Sequence, residues 1–445
     1  MKKVITYGTY DVLHYGHVRL LERAKALGDY LIVGVTTEDF DKARGKINVS
    51  QSLMERIEAV RKTGIADEII IEEYEGQKID DIKRYNVDIF AVGDDWKGCF
   101  DYLADYCEVV YLPRTQGVSS TAIRAMNNNV HMGVIGKYSS VRKIISESEY
   151  VNGLDVVAAF SSDFSSWPTD ISAKIFNAPN LESMLDSVDA VYLYAKPEDH
   201  YELVLKCLES GKHVLCEAPI SLTQEQYNAL LKIADDRSLV LMDGLKTAYS
   251  LAYYRLLLLV KSGKIGKVIS VDSTCTSMVD NIYSGGLNEK WNSICAWGPT
   301  ALLPIFQILG TSYKKKQIVT NLLAPSLKYD AFTHISFVYE SAVASCKIAK
   351  GAKSEGSLVI SGTKGYIYVP APWWKTDYVE VRYENQSDNK RYFYQLDGEG
   401  IRYELCTFLK SIRDDTPLSY TPASISEAII KIIEAFYSGD DVVLI

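Results

Sequence analysis

The chain has 445 residues, more than a single hydrophobic core usually serves, which predicts about three domains of ordinary size. Apolar residues make up 47% and charged residues 24%, as is typical of a globular protein, and the net charge of −9 argues against a nucleic-acid surface. The sequence has no signal-peptide core and no run of ~20 apolar residues, so we predict no membrane association and a cytoplasmic location. Eight scattered cysteines without a C-x-x-C pair indicate buried thiols in a reducing compartment.

Strand and helix patterns alternate through residues 1–128. Short strands are predicted at Val4–Tyr7, Leu31–Val35, Glu68–Glu72, Ile89–Val92 and Val109–Leu112. A capping box, Ser52 with Glu55 three residues later, starts one of the intervening helices. Because βαβ crossovers make strands parallel, this α/β segment predicts a doubly wound parallel sheet, and Asn127–Asn129 predicts a linker.

The turn after the first strand carries the most information. It contains Gly8-Thr9-Tyr10-Asp11, and His14-Tyr15-Gly16-His17 opens the next helix. The unpaired N–H groups and partial positive charge of a helix N-terminus make it a phosphate site. Two imidazoles there can donate hydrogen bonds to phosphate oxygens as charge develops. This stretch therefore predicts an enzyme that transfers a nucleotidyl group.

Two later segments, Gly93-Asp94-Asp95-Trp96 and Arg114–Thr121, complete a pattern. Together with Gly8–His17, they resemble in order and spacing the motifs of the cytidylyltransferase family that includes glycerol-3-phosphate cytidylyltransferase, over essentially all of residues 1–125. The resemblance implies in-line attack of an acceptor phosphate on the α-phosphorus of CTP, with pyrophosphate as the leaving group. It favours a small sugar or polyol phosphate as the acceptor, and Mg²⁺ is expected with the triphosphate, without an assigned set of protein ligands.

The resemblance also implies roles for individual residues. His14 and His17 would bond oxygens of the α-phosphate, and Lys46 and Arg114 are candidate cations for the triphosphate or the acceptor phosphate. The further nucleotide-binding candidates are Gly8, Thr9, Tyr10, Asp11, Gly16, Asp94, Thr115, Ser119, Ser120 and Thr121.

Several assignments have an alternative. Lys46 is either a phosphate ligand or a solvated surface lysine, and Arg56 either reaches a phosphate or forms a surface ion pair. Asp11 either orders the loop or positions the metal ion. Trp96 either packs in the hydrophobic core or lines the substrate pocket. Tyr74 stands where glycerol-specific relatives tend to carry tryptophan, which leaves the acceptor unidentified.

The alternation restarts at His131–Gly136 and predicts a second doubly wound unit over residues 129–248. A helix is expected at Glu198–Ser210, ended by Gly211. The other strands of this unit are predicted at Val156–Phe160, Ala190–Tyr194, Val214–Cys216 and Val240–Met242.

From residue 249 to 445 the pattern changes to that of an α+β domain with an open antiparallel sheet. Strand-like segments are Val268–Cys275, Phe337–Ile348, Ser357–Ser361 and Tyr366–Val369. A closing helix is expected at Ser424–Tyr437.

Residues 131 to about 440 resemble a second family, the glucose–fructose oxidoreductase and inositol dehydrogenase family (Gfo/Idh/MocA). The resemblance rests on Asp189–Pro197 with His200, on Gly211–Pro219 and on Gly263–Val268. It implies a Rossmann domain that binds NADPH or NADH, and a homo-oligomer formed through the open face of the C-terminal sheet.

Key positions depart from that family's pattern. Ala218 corresponds to the lysine of its Glu-Lys-Pro motif, and no histidine occurs in Ala296–Thr300, where the substrate-side histidine is expected. Gly136 keeps the first fingerprint glycine, but Tyr138 replaces the second, and Ser161 stands where an acid would bond the ribose.

Two interpretations follow for this half. It is either a divergent reductase, in which Lys196 or Lys246 replaces the missing lysine, or a former dehydrogenase kept for binding, dimerisation or stability. The candidate residues are Gly136, Ser161, Lys196, Glu217 and Lys246.

The fusion favours two consecutive reactions, because tethering raises the concentration of the intermediate at the second site. CMP would be transferred from CTP to a sugar or polyol phosphate. The CDP-linked ketose or aldose would then be reduced to a CDP-polyol for surface polysaccharide. The alternative is a cytidylyltransferase with an inactive oxidoreductase-like domain.

Overall fold

The computed structural model describes residues 1–37, 51, 53–74, 76–113, 129–278, 291–393, 398–413 and 420–445. Contacts divide the chain into two compact units. One comprises residues 1–129 with 151–153, and the other comprises residues 130–150 with 154–445. The three-domain division at residues 128 and 248 stays a prediction.

A five-stranded parallel sheet forms the first unit. Its strands are β1 (Lys3–Gly8), β2 (Tyr30–Thr36), β3 (Glu68–Glu72), β4 (Ile89–Gly93) and β5 (Glu108–Leu112), in the order β3-β2-β1-β4-β5. Its helices are α1 (Tyr15–Lys25), α2 (Leu53–Lys62) and α3 (Gln77–Tyr85). Because β1 pairs with β2 on one side and β4 on the other, the strand order reverses beside β1. Ligands of open α/β sheets bind at such a point, outside the carboxyl ends of the strands.

Apolar side chains cover both faces of this sheet. Val4 and Ile89 are buried on one face with Leu21 of α1, while Ile5 and Phe90 are buried on the other. Burial on two faces explains why the strands read as continuous apolar runs. Ser52 of the predicted capping box lies outside the described residues.

The second unit contains a six-stranded parallel sheet. Its strands are β6 (Val130–Ile135), β7 (Leu154–Phe160), β8 (Phe176–Asn177), β9 (Ala190–Leu193), β10 (His213–Glu217) and β11 (Leu241–Gly244), in the order β11-β10-β9-β6-β7-β8. Its helices are α4 (Tyr138–Ser148), α5 (Thr169–Ser172), α6 (Leu181–Leu185), α7 (Pro197–Glu209) and α8 (Gln224–Asp236). Here the order reverses between β6 and β9, which is the Rossmann arrangement.

A nine-stranded sheet follows in the same unit. Its strands are β12 (Val268–Thr276), β13 (Lys315–Ala324), β14 (Tyr329–Val338), β15 (Val343–Ala349), β16 (Leu358–Gly362), β17 (Tyr366–Val369), β18 (Tyr378–Arg382), β19 (Lys390–Phe393) and β20 (Val442–Leu444). The helices are α9 (Leu251–Lys261), α10 (Ser293–Leu309), α11 (Ile401–Arg413) and α12 (Ala423–Ser438). The order is β19-β18-β17-β16-β12-β15-β14-β13-β20.

Two predictions for this region were wrong. The sheet is mixed rather than antiparallel, since β12 pairs with β15, and β13 with β20, in parallel. The segment Phe337–Ile348 is two strands joined by a tight turn, in which the N–H of Tyr339 donates to the carbonyl of Ala342 at 2.9 Å.

Within the described ranges, no helix has the length and apolar content to cross a bilayer. The eight cysteines are free thiols, six of them buried.

Candidate active sites

The turn between β1 and α1 has a strained backbone. Tyr10 and Val12 adopt φ of +53° and +46°, which is a genuine outlier for a β-branched residue such as valine. The Tyr10 ring is buried and packs edge-on against His17, with centroids 5.6 Å apart. A Cβ on Gly8 would lie 2.9 Å from Tyr10 Cζ. The close contact between Gly8 and the buried Tyr10 ring therefore holds the turn against the hydrophobic core.

His14 and His17 stack at the start of α1, with centroids 3.9 Å apart and planes 19° apart. Nδ1 of His14 accepts from the N–H of Gly16 at 3.0 Å, and Nδ1 of His17 accepts from the N–H of His14 at 3.4 Å. Because Nδ1 accepts in both rings, the proton of each neutral imidazole belongs on Nε2, which becomes a donor. The bonds that cap the helix thus also orient donors suited to phosphate oxygens.

Arg56 of α2 fastens this turn to the domain. It is fully buried, and its Nη1 donates to the carbonyl oxygens of Thr9 at 2.7 Å and Thr36 at 2.8 Å. Its Nε donates to the carbonyl of Gln51 at 3.1 Å. The alternative of a surface ion pair is wrong, because this guanidinium binds backbone carbonyls in the interior.

Asp11 is also buried and orders the same loop. Its Oδ1 accepts from the N–H of Gln51 at 3.0 Å, while Oε1 of Gln51 accepts from the N–H of Val12 at 2.8 Å. Of the two roles weighed for Asp11, loop ordering is the one these contacts support.

Pairing of β1 with β4 brings Asp94, exposed at the end of β4, to the sheet edge that carries the histidines. Trp96 packs against Phe100 with ring centroids 5.9 Å apart, which supports core packing. The predicted site residues Lys46, Arg114, Thr115, Ser119, Ser120 and Thr121 lie outside the described residues.

A cleft of about 1090 Å³ opens at the carboxyl edge of the second parallel sheet. The candidates that line it are Gly136, Ser161, Lys196, Glu217 and Lys246. The five candidate residues of this half therefore lie around one cleft.

Gly136 allows close packing at the centre of this edge. Its φ is +143°, and a Cβ would lie 2.6 Å from the carbonyl oxygen of Tyr194. Ser139 and Ser140, in the first turn of α4, line the cleft immediately beyond. Hydroxyl and N–H groups at a helix N-terminus fit the pyrophosphate of a dinucleotide.

Sequence reasoning missed Asp163, a carboxylate at the N-terminus of α4. It accepts hydrogen bonds from the N–H of Tyr138 at 3.1 Å, Oγ of Ser161 at 2.7 Å and Nε1 of Trp167 at 3.0 Å. Although burial raises the pKa of Asp163, these hydrogen bonds outweigh it and hold the pKa below its ordinary value. The only signal in the sequence was an acid shortly after β7.

Glu217 ends β10 inside the cleft and accepts from the hydroxyl of Tyr192 at 2.7 Å. Burial raises the pKa of Glu217, and the bond from Tyr192 and the charge of Lys246 oppose that rise only in part. A carboxyl group with a raised pKa keeps its proton to a higher pH than an exposed carboxyl group, which suits it to act as a proton donor. Lys196 is exposed at the start of α7.

The position expected for the family's histidine is occupied by α10. Trp297 lines the cleft there, donates from Nε1 to Oγ of Ser277 at 3.1 Å and packs against Trp374. Ala218 also lines the cleft, so the positions expected for the family's lysine and histidine both face it.

These features define a nucleotidyltransferase-type domain followed by a Rossmann domain of the oxidoreductase type. The chain belongs to the cytidylyltransferase-like family, whose profile matches residues 5–126, and it is an enzyme. Residues 130–245 match the oxidoreductase family with an NAD-binding Rossmann fold, the Gfo/Idh/MocA family. Both resemblances seen in the sequence are confirmed.

Two relatives match the N-terminal cytidylyltransferase-like domain over nearly the whole of their own length. Glycerol-3-phosphate cytidylyltransferase of Bacillus spizizenii is 52% identical over 124 residues, 28% of this chain and 95% of that protein. The Staphylococcus aureus enzyme of the same name is 49% identical over 127 residues, 28% of this chain and 93% of that protein.

Solved structures match the second half. A 3-ketoreductase from Actinomadura kijaniata, in complex with NADP and TDP-benzene, superimposes with a TM-score of 0.63 at 16% identity. The match covers 72% of this chain and all of that one, and at this identity it shows the fold alone.

Replacing Arg56 with lysine should lower pyrophosphate release from CTP by roughly 10²-fold, because a single ammonium nitrogen cannot reach the three carbonyls that Nε and Nη1 of the guanidinium bond from two separate points, and the turn would shift. Steady-state pyrophosphate release measures the effect. Arg61→Lys is the matched control, since Arg61 on the same helix is exposed and pairs with Glu58. Equal activity of the two variants would contradict the fastening role of Arg56.

Proposed function

We propose that the first half transfers CMP from CTP to a small sugar or polyol phosphate. The second half then reduces the carbonyl of the CDP-linked product with NADPH or NADH, which gives a CDP-polyol for surface polysaccharide. The stacked His14–His17 pair carries the first part of the proposal. The homo-oligomer and the cytoplasmic location stay predictions from the sequence.

In the transfer step, an oxygen of the acceptor phosphate attacks the α-phosphorus and the bond to the bridging oxygen of pyrophosphate breaks. Charge grows on the α-phosphate oxygens, to which Nε2–H groups of His14 and His17 would donate. Mg²⁺ would neutralise charge on the triphosphate, whose oxygens supply most of its ligands. Exposed Asp94 is the acidic side chain at this edge that would approach the ion.

We propose only the chemical class of the acceptor, which is a small sugar or polyol phosphate. The relatives named above are glycerol-3-phosphate enzymes, but Tyr74, where such enzymes tend to carry tryptophan, is half exposed and donates from its hydroxyl to Asp80 at 2.9 Å. This departure leaves the acceptor unidentified within its class.

For the reduction, a bound nicotinamide dinucleotide would supply hydride to the carbonyl carbon. The cleft fits such a group through Gly136 and the two serines of α4. The chain must then hold the carbonyl oxygen and deliver a proton to it. Lys196 would polarise the oxygen, and Glu217, bonded to Tyr192, would supply the proton.

A second candidate function is a binding or assembly module without turnover. Two departures favour it: Ala218 corresponds to the family's lysine, and Ala296–Thr300, where the family's histidine is expected, contains no histidine.

Replacing His14 with alanine should lower pyrophosphate release from CTP by roughly 10²-fold or more and destabilise the helix start by about 1 kcal/mol. His14→Asn separates the two effects, because asparagine caps helices well but offers no imidazole. We expect it to melt like the wild type and to be as inactive as the alanine variant. An asparagine variant within a few-fold of wild-type activity would refute the α-phosphate role.

Products made from CTP with a panel of ketose, aldose and polyol phosphates should include one that consumes NADPH, followed by loss of its absorbance. Lys196→Ala should abolish this turnover, whereas Lys232→Ala, at an exposed ion pair on α8, should not. Absence of turnover with every carbonyl-bearing product would reject the reductase. Unchanged turnover in Lys196→Ala would reject that residue's role.

A further inference from the structure

The cleft of the second unit is basic although the protein is acidic. The chain carries a net charge of −9, yet the described residues that line the cleft include six lysines and only three acids. The lysines are Lys137, Lys143, Lys196, Lys246, Lys350 and Lys375. A cleft with an excess of one sign of charge concentrates ligands of the opposite sign.

Three of these lysines, here called the lysine cluster, converge on the carboxylate of Glu399. Lys143 and Lys246 donate to Oε2 at 2.8 and 2.9 Å, and Lys375 donates to Oε1 at 2.8 Å. They come from α4, from the turn after β11 and from the turn before β18. Three positive charges against one negative charge leave two positive charges at one place in the cleft.

The backbone is shaped to bring Glu399 to this point. Glu399 has φ of +53°, and the next residue, Gly400, has φ of +90°. A Cβ on Gly400 would lie 2.5 Å from the carbonyl oxygen of Lys246, so the turn packs directly on the lysine's own backbone. A strained, closely packed turn indicates a constrained arrangement rather than a chance meeting of flexible side chains.

The charges remain accessible from the cleft. The side chains of the cluster are 30–45% exposed, and that of Glu399 is 29% exposed. Burial raises the pKa of Glu399, but the three lysines outweigh burial and keep the carboxylate ionised. Each ammonium group has three N–H donors, so a lysine can bond Glu399 and a ligand oxygen together.

Aromatic side chains lie beside the cluster. Trp374, next to Lys375 in sequence, and Trp297 both line the cleft, with ring centroids 4.8 Å apart. Trp374 is only 7% exposed, so half-buried Trp297 is the indole that a ligand in the cleft would contact. The cleft therefore combines a net positive charge at the cluster with an aromatic side chain beside it.

We propose that the lysine cluster binds the diphosphate of a nucleoside diphosphate-linked sugar, the product of the first half. This inference rests on the proposed function, which supplies that ligand. A diphosphate diester carries two negative charges and so matches the two positive charges of the cluster. Glu399 holds the three ammonium groups together before the ligand arrives.

A dinucleotide also contains a diphosphate, and its expected place is the N-terminus of α4, one helical turn before Lys143. The two sources of diphosphate are separated by their probes. CDP represents the linked sugar, cytidine lacks the phosphates, and NADPH represents the dinucleotide.

Tryptophan fluorescence can report on the second unit alone. Trp96 is the single tryptophan before residue 130, so the full chain with Trp96→Phe retains five tryptophans, all in the second half. CDP and cytidine are titrated by this signal, and NADPH by its own fluorescence.

Lys246→Gln and Lys375→Gln should each weaken CDP binding about tenfold, while the Kd values of cytidine and NADPH change less than about twofold. Lys232→Gln, from an exposed pair, is the matched control. Glu399→Gln should tighten CDP binding, because it removes the negative charge of the site.

Unchanged CDP affinity in both lysine variants would overturn the proposal and leave the cluster as an internal ion-pair group. Loss of NADPH affinity without loss of CDP affinity would assign it to the dinucleotide and also overturn the proposal. If only the proposed reductase activity is absent, the result is different. CDP would still bind through these lysines, but NADPH would not be consumed.

Discussion

The first active site depends on one buried guanidinium. Arg56 bonds the carbonyl oxygens of Thr9 and Thr36, which lie 47 and 20 residues away in sequence. The turn it holds contains two side-chain-bearing residues at positive φ, each of which costs about 1–3 kcal/mol and persists only because the surroundings impose it. Arg56 and Asp11 impose it through backbone groups, and the histidine pair follows from that turn. The chemistry of α1 is therefore positioned by contacts that involve no substrate.

The second unit supplies its own carboxylates at two places where an anion would bind. Asp163 lies at the N-terminus of α4, and Glu399 lies among three lysines. Hydrogen bonds hold the pKa of Asp163 below its ordinary value, and the three lysines do the same for Glu399. The Glu399 carboxylate offsets part of the repulsion among the three ammonium groups around it.

Local patterns in the sequence were enough to locate the parallel sheets, because strands buried on two faces read as apolar runs separated by helices. The two-residue strand β8 was too short to leave a pattern. The hairpin at Tyr339–Ala342 was merged into one strand because the alternation continues through its turn. Pairing in the mixed sheet is non-local, so its parallel pairs could not be read from the chain.

The same difference between local and non-local features applies to the two sites. The histidine motif is contiguous, so the sequence alone was enough to find it. The lysine cluster was not, because Lys143 and Glu399 are 256 residues apart and meet only through the packing of separate elements. Asp163 was overlooked because its role depends on the direction of a single backbone N–H, which a residue pattern does not encode.

The capping role of His14 has a consequence for the freedom of its ring. Its Nδ1 lone pair already accepts the N–H of Gly16. A flip of the imidazole would turn Nδ1 away from that N–H, and the cap would be lost. The helix start thus fixes which ring nitrogen is left for a ligand, so Nε2 is presented before any substrate is bound.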